Sequence, residues 1–130
     1  MFFHDRRKKV EPININIDGI PIEFVKQFNY LRIVLDANLS WGPHIQTTHQ
    51  KISRTVGIMC KLKNYIPTQT LLILYNTLVL PHLNYGILAW GIKCCKLEKI
   101  QKKSVRIMTN AKYNAHTSPI FKKLQLLKIS

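Results

Sequence analysis

Ile13, Ile15 and Ile17 alternate with Asn14 and Asn16, a period of two that predicts a strand with one buried face. Asp18-Gly19 follows as a two-residue turn signal. Ile20, Ile22 and Phe24 resume the alternation beyond it, so the stretch reads as a β-hairpin. Phe28 to Leu35 predicts a third strand, with Leu31, Ile33 and Leu35 on one face and Tyr30, Arg32 and Val34 on the other, covered on both sides for part of its length. Asp36-Ala37-Asn38 closes it as a turn. Ahead of these elements, Phe2 and Phe3 read as the tail of a strand entering a charged loop. That loop, Arg6, Arg7, Lys8 and Lys9, is also a short basic match to a nuclear-localisation pattern.

The period then lengthens to that of a helix. Ser40 is expected to cap a helix whose first turn tolerates Pro43. Trp41, Ile45, Ile52, Val56 and Met59 fall on one helical stripe, and Lys51, Arg54 and Lys61 on the opposite one. Leu71 to Trp90 is the most apolar stretch of the chain. It predicts the central helix of a small bundle, with Thr68 as N-cap after Pro67, a bend near Pro81 and Gly91 as C-cap. A membrane span is disfavoured, because Asn76, His82 and Asn84 would each lose water and Pro81 would leave a carbonyl without its donor.

After Cys94 and Cys95 comes another helical pattern. Lys96, Lys99, Lys102, Lys103 and Arg106 share one side, without a compensating carboxylate, and Leu97, Ile100, Ser104, Ile107 and Met108 share the other. Thr117-Ser118-Pro119 opens a last short helix, with Phe121, Leu124 and Leu127 expected inward and Lys122, Lys123 and Lys128 outward; it ends barely complete, which reads as truncation. The expected class is α+β: an antiparallel hairpin plus a third strand, then a bundle of three to four helices. The expected segments are a β region over 1–38, a helical bundle over 39–112 and a short C-terminal helix over 113–130.

Charge sharpens this picture. The 130 residues carry a formal charge of +14, and five of the six acids lie in the first 36 positions. From Ala37 onward, 14 Lys and Arg face only Glu98, a net of +13. A folded piece so lopsided repels itself and calls for a polyanion: nucleic acid, an anionic membrane surface or an acidic protein. A cationic helix face without interleaved Glu favours nucleic acid. Three cysteines, Cys60, Cys94 and Cys95, form neither a disulfide framework nor a zinc spacing, which points to a reducing, intracellular setting. The N-terminus has no secretory pattern.

Candidate chemistry is sparse. A two-metal polymerase or nuclease centre needs carboxylates that converge, and Asp18, Asp36 and Glu98 fall on separate elements. His4, His44, His49, His82 and His116 are dispersed, no serine or cysteine has a nucleophile's neighbours, and the five glycines make no phosphate loop. The residues describe a binding surface with no catalytic centre and no cofactor of its own.

Four blocks in order, FNYLRIVLDANLSWGPHI, KISRTVGIMCKL, LYNTLVLPHLNYGILAWG and LEKIQKKSVRIMTNAKYNAH, together resemble the region after the catalytic motifs in reverse transcriptases of non-LTR retrotransposons, jockey-like elements in particular. MFFHDRRKKV is similar to the segment just beyond that family's Asn-Lys-Thr motif. The resemblance implies that Ile13 to Leu35 form the palm edge and primer grip, and that Trp41 to about Ala111 form the thumb along the template–primer duplex. It implies that the metal-binding aspartates, and their magnesium, belong to motifs upstream of Met1. Two positions depart from the family: its Leu-Gly pair is Leu31-Arg32 here, and the link from Gly91 to Leu97 is shorter.

The expected function is thus a fragment of an RNA-directed DNA polymerase of a mobile element, holding RNA/DNA or DNA duplex by its phosphates. The expected contact residues are Lys51, Arg54, Lys61, Lys96, Lys99, Lys102, Lys103 and Arg106. Its other partner would be the upstream palm and fingers. The alternatives are a structural bundle without independent activity, as in a degenerate element copy, and a small basic nucleic-acid-binding protein.

Overall fold

The computed structural model describes Met1, Phe3, His4 and residues 14–129, with Lys93 by its backbone alone. The expectations for Phe2, Ile13 and the basic run Arg6 to Lys9 lie outside the described residues. The fold is mixed α+β, two small antiparallel hairpins followed by helices. The chain divides into two compact units, Met1–His44 and Ile45–Ser130.

In the first unit, β1 (Asn16–Ile17) pairs with β2 (Ile20–Pro21) in the register Ile17↔Ile20. Asp18 and Gly19 both take positive φ, 49° and 78°, the signature of the turn that the Asp-Gly pair predicts. Among the described residues the expected buried face does not form: Ile17 is 60% and Ile20 69% exposed, since a ladder of two residues per strand presents too little surface to build a core face.

The predicted third strand is two strands. β3 (Gln27–Tyr30) and β4 (Ile33–Asp36) form a second hairpin, with Phe28 opposite Leu35 and Tyr30 opposite Ile33. Leu31 and Arg32 make its turn at φ 47° and 63°. Neither residue signals a turn, since L-residues in the left-handed region cost about 1–2 kcal/mol each; cross-strand pairing offsets that cost.

Asp36 organises the entry to the first helix, α1 (Gly42–Leu62). Its carboxylate accepts the N–H of Ser40 at 3.0 Å and of Trp41 at 3.1 Å, holding the loop that leads into that helix. Burial alone would raise this carboxyl's pKa, but the Ser40 and Trp41 hydrogen bonds hold it below the ordinary value. Ser40, the expected cap, reaches Gly42 N only at 3.4 Å and is secondary to Asp36. His44 Nδ1 accepts Val34 N–H at 3.3 Å, tying β4 to the first turn of α1.

In the second unit, Ile45, Ile52, Val56 and Met59 are buried along α1 as their spacing predicts, while Trp41, in the first unit, is half-buried. The stretch expected as one central helix is broken. α2 (Thr68–Leu74) starts with Pro67, not Thr68, at the cap, where the Pro67 carbonyl accepts from Thr70 and Leu71. A π-turn (Tyr75–Val79) joins it to α3 (Leu80–Asn84). Pro81 explains that turn: it has no N–H to donate, and its ring would meet the carbonyl four residues back. Widening the preceding turn accommodates it, and Thr77 Oγ1 takes up the carbonyls of Ile73 (2.9 Å) and Leu74 (3.3 Å).

The left-handed break falls at Gly86 (φ 68°), before α4 (Ile87–Trp90), and Gly91 takes the expected C-cap place after α4 with a helical φ of −57°. Trp90 is fully buried and its indole N–H donates to the Tyr85 carbonyl at 3.0 Å, closing the break. Leu71, Tyr75, Val79 and Leu83 form one buried row, but Ile73 is 61% and Leu88 99% exposed, so the stretch is not wrapped all round. Among the described residues, no helix is long and apolar enough to cross a membrane.

A short 3-10 turn (Gly91–Lys93) leads to α5 (Cys95–Met108), which buries Leu97, Ile100, Gln101, Ser104, Val105, Ile107 and Met108. α6 (Ser118–Lys123) follows Thr117 and buries Phe121. Gln125 turns the chain at φ 53°, which carries Leu127, expected inward, out to 88% exposure.

Candidate nucleic-acid interface

The second unit sorts the predicted cations into two kinds. Lys51, Arg54 and Lys61 on α1, and Lys96, Lys99 and Lys103 on α5, are exposed. Each stands opposite the buried row of its own helix, so the stripes that form the core also aim these side chains at solvent. None of the six pairs with a carboxylate among the described residues.

Lys102 and Arg106 are of the second kind, held by the protein itself. The α5 face expected to lack a compensating acid has one: Glu98 Oε1 accepts Lys102 Nζ at 2.7 Å and Lys128 Nζ at 2.9 Å. Glu98 lies one helical turn before Lys102, a spacing that favours the pair, while Lys128 arrives from the C-terminal segment. The Lys102 hydrogen bond, then that of Lys128, pulls the Glu98 carboxyl down from 4.5 to about 2. Arg106 Nε donates to the Ala115 carbonyl at 3.1 Å, and its guanidinium lies 6.0 Å from the centroid of the Tyr113 ring.

These two held cations sit together with residues outside the predicted set. A cleft of about 320 Å³ is lined by Lys102, Arg106, His116, Thr117, Ser118 and Lys128 among others. Lys128 belongs to the outward cations of the last helical pattern, and nothing in its spacing relates it to Glu98 thirty positions earlier. Lys63, at the end of α1, donates to Asn110 Oδ1 at 3.0 Å.

The described acids do not fit the magnesium that the resemblance implies for an active site. Asp36 is taken up by backbone N–H groups, Glu98 by two ammonium groups, Asp18 is in a hairpin turn and Glu23 is exposed just beyond β2. Among the described residues, no three His, Cys, Asp or Glu side chains gather as a metal would need.

The chain is 27% identical over 128 residues to the probable RNA-directed DNA polymerase from transposon BS of Drosophila melanogaster, covering 92% of this chain and 14% of that protein. The resemblance to a non-LTR reverse transcriptase holds. A second Drosophila melanogaster relative, the probable RNA-directed DNA polymerase from transposon X-element, is 20% identical over 129 residues, covering 94% of this chain and 14% of its own length. The chain thus spans 14% of the length of these transposon polymerases. No protein-family model matches the chain, and no solved structure matches it.

Proposed function

We propose that the chain is a segment of a jockey-like RNA-directed DNA polymerase and serves there as a thumb-like element that grips the template–primer duplex by its phosphates. Chemistry belongs to carboxylates supplied by the upstream palm. The observation that carries this reading is the pair of helices, α1 and α5, each with a buried apolar row and an exposed cationic one. The transposon polymerases matched along the chain supply the context. Lys51, Arg54, Lys61, Lys96, Lys99 and Lys103 neutralise phosphates without reading sequence, and each contact releases a counterion.

The test is binding of the chain to a labelled RNA/DNA hybrid across a salt series. Several phosphate contacts predict an affinity loss of about a thousandfold or more between about 50 and 200 mM salt. Affinity that is flat across that range overturns the reading.

A second reading is favoured by the exposed hairpin residues Ile17, Ile20 and Ile22. On that reading the chain is a structural piece that docks on the palm and fingers, and its cations only solvate it. Self-association on sedimentation, relieved by Ile17→Thr and Ile20→Thr, supports it; a clean monomer removes it.

A further inference from the structure

We propose that the cleft between α5 and the segment 114–118, which leads into α6, seats one phosphate group of a bound nucleic-acid strand. The proposal rests on the polyanion reading above and goes beyond it by naming a built seat apart from the exposed helix faces. The cleft gathers four groups able to donate to an oxyanion: the ammonium groups of Lys102 and Lys128, the guanidinium of Arg106 and the imidazole of His116. Thr117 and Ser118 add hydroxyl donors.

These donors are pre-positioned. One Glu98 oxygen holds both ammonium groups, from two elements well apart in the chain, within 2.7 and 2.9 Å of itself. Two ammonium groups gathered on one carboxylate oxygen can also converge on a phosphate oxygen. One guanidinium nitrogen of Arg106 is spent on the Ala115 carbonyl, which fixes the plane of the fork while its other nitrogens stay available. A single carboxylate against three cations leaves the cleft net positive. Lysines on an open helix face lose side-chain entropy on gripping an anion, and these have lost part of it already. Tyr113, its ring 6.0 Å from the Arg106 guanidinium and 86% exposed, lies beside the cleft as a platform for the neighbouring base.

The experiment uses the full chain, with hybrid duplex and inorganic phosphate as separate probes. Ser118→Glu puts a carboxylate on the rim at an exposed position, and Lys128→Gln removes one donor. Each should weaken hybrid binding about tenfold, the scale of one charge-assisted hydrogen bond. Phosphate should shift the Thr117 and Ser118 amide resonances of the native chain and not those of Ser118→Glu, whose circular dichroism should stay native. Hybrid binding that is strong and unaffected by both substitutions overturns the seat while leaving the basic-surface reading intact. Phosphate shifts with unchanged hybrid affinity also overturn it, as an ion site the strand does not use. Loss of all salt-dependent binding in the native chain defeats both.

Discussion

Gln101 donates its side-chain N–H to the Tyr75 hydroxyl at 3.0 Å, and both residues are fully buried. The same amide donates to the Leu127 carbonyl at 3.0 Å and accepts the Ile129 N–H at 3.2 Å, so one side chain joins the π-turn, α5 and the C-terminal segment. Burial pushes the Tyr75 phenol up, and the Gln101 contact partly opposes it. Gln101→Leu leaves a buried hydroxyl and two backbone groups without this partner, and is expected to cost about 2–3 kcal/mol. Tyr75→Phe removes one hydrogen bond and should cost about 1 kcal/mol. Urea denaturation of both variants and of the double mutant checks this. The double mutant should be more stable than the sum of the single losses predicts, because the two groups share one bond.

Arg32 holds φ 63° in the second hairpin, where a glycine is free of the Cβ penalty. Arg32→Gly should therefore stabilise the first unit by about 0.5–1 kcal/mol. Protection of the Tyr30 and Ile33 amides against hydrogen exchange is the direct measurement. Arg32 thus places a local strain in that turn.

That turn marks where the sequence was legible and where it was not. Ile52, Val56 and Met59 on α1, and Leu97 and Ile100 on α5, were readable because a periodic row of apolar residues has one packing solution. Asp18-Gly19 was readable because its chemistry demands the turn. Leu31-Arg32 was not, since pairing across β3 and β4 overrides the local preference of both residues. The apolar stretch reads as one helix bent near Pro81 and capped by Gly91. The chain absorbs Pro81 in a wider turn and breaks at Gly86, a choice fixed by where Trp90 can bury and reach the Tyr85 carbonyl. In the candidate interface the exposed lysines followed from periodicity. The Glu98–Lys128 tie did not, because it joins residues that only the tertiary fold brings together.

Glu98 gives that tie a pH dependence. Its carboxyl is held at about 2 against 4.5 in the unfolded chain, so the folded state loses its proton first as pH rises. The stabilisation is complete above about 4.5 and is lost as pH falls through about 2. The partners are partly solvated, which limits it to about 1 kcal/mol or less. Glu98→Gln should lower the urea midpoint at neutral pH, and its difference from the native chain should shrink toward zero between pH 4.5 and 2. A difference that persists at about pH 2 would mean that packing, not charge, sets the effect.

Lys99 and Lys102 lie on one helix, three positions apart, yet differ in what their loss should do. Lys99 is exposed with no carboxylate partner among the described residues, so Lys99→Ala should leave stability within about 0.5 kcal/mol of native. It should lower the slope of log affinity against log salt by about one. Lys102 shares Glu98 with Lys128 and lines the cleft, so Lys102→Ala should weaken hybrid binding more than Lys99→Ala and also reduce stability by several tenths of a kcal/mol. Anisotropy across a salt series gives the slopes, and urea midpoints give the stabilities. Equal slopes and equal midpoints for the two variants would mean that the Glu98 pairing does not distinguish a held cation from a solvated one.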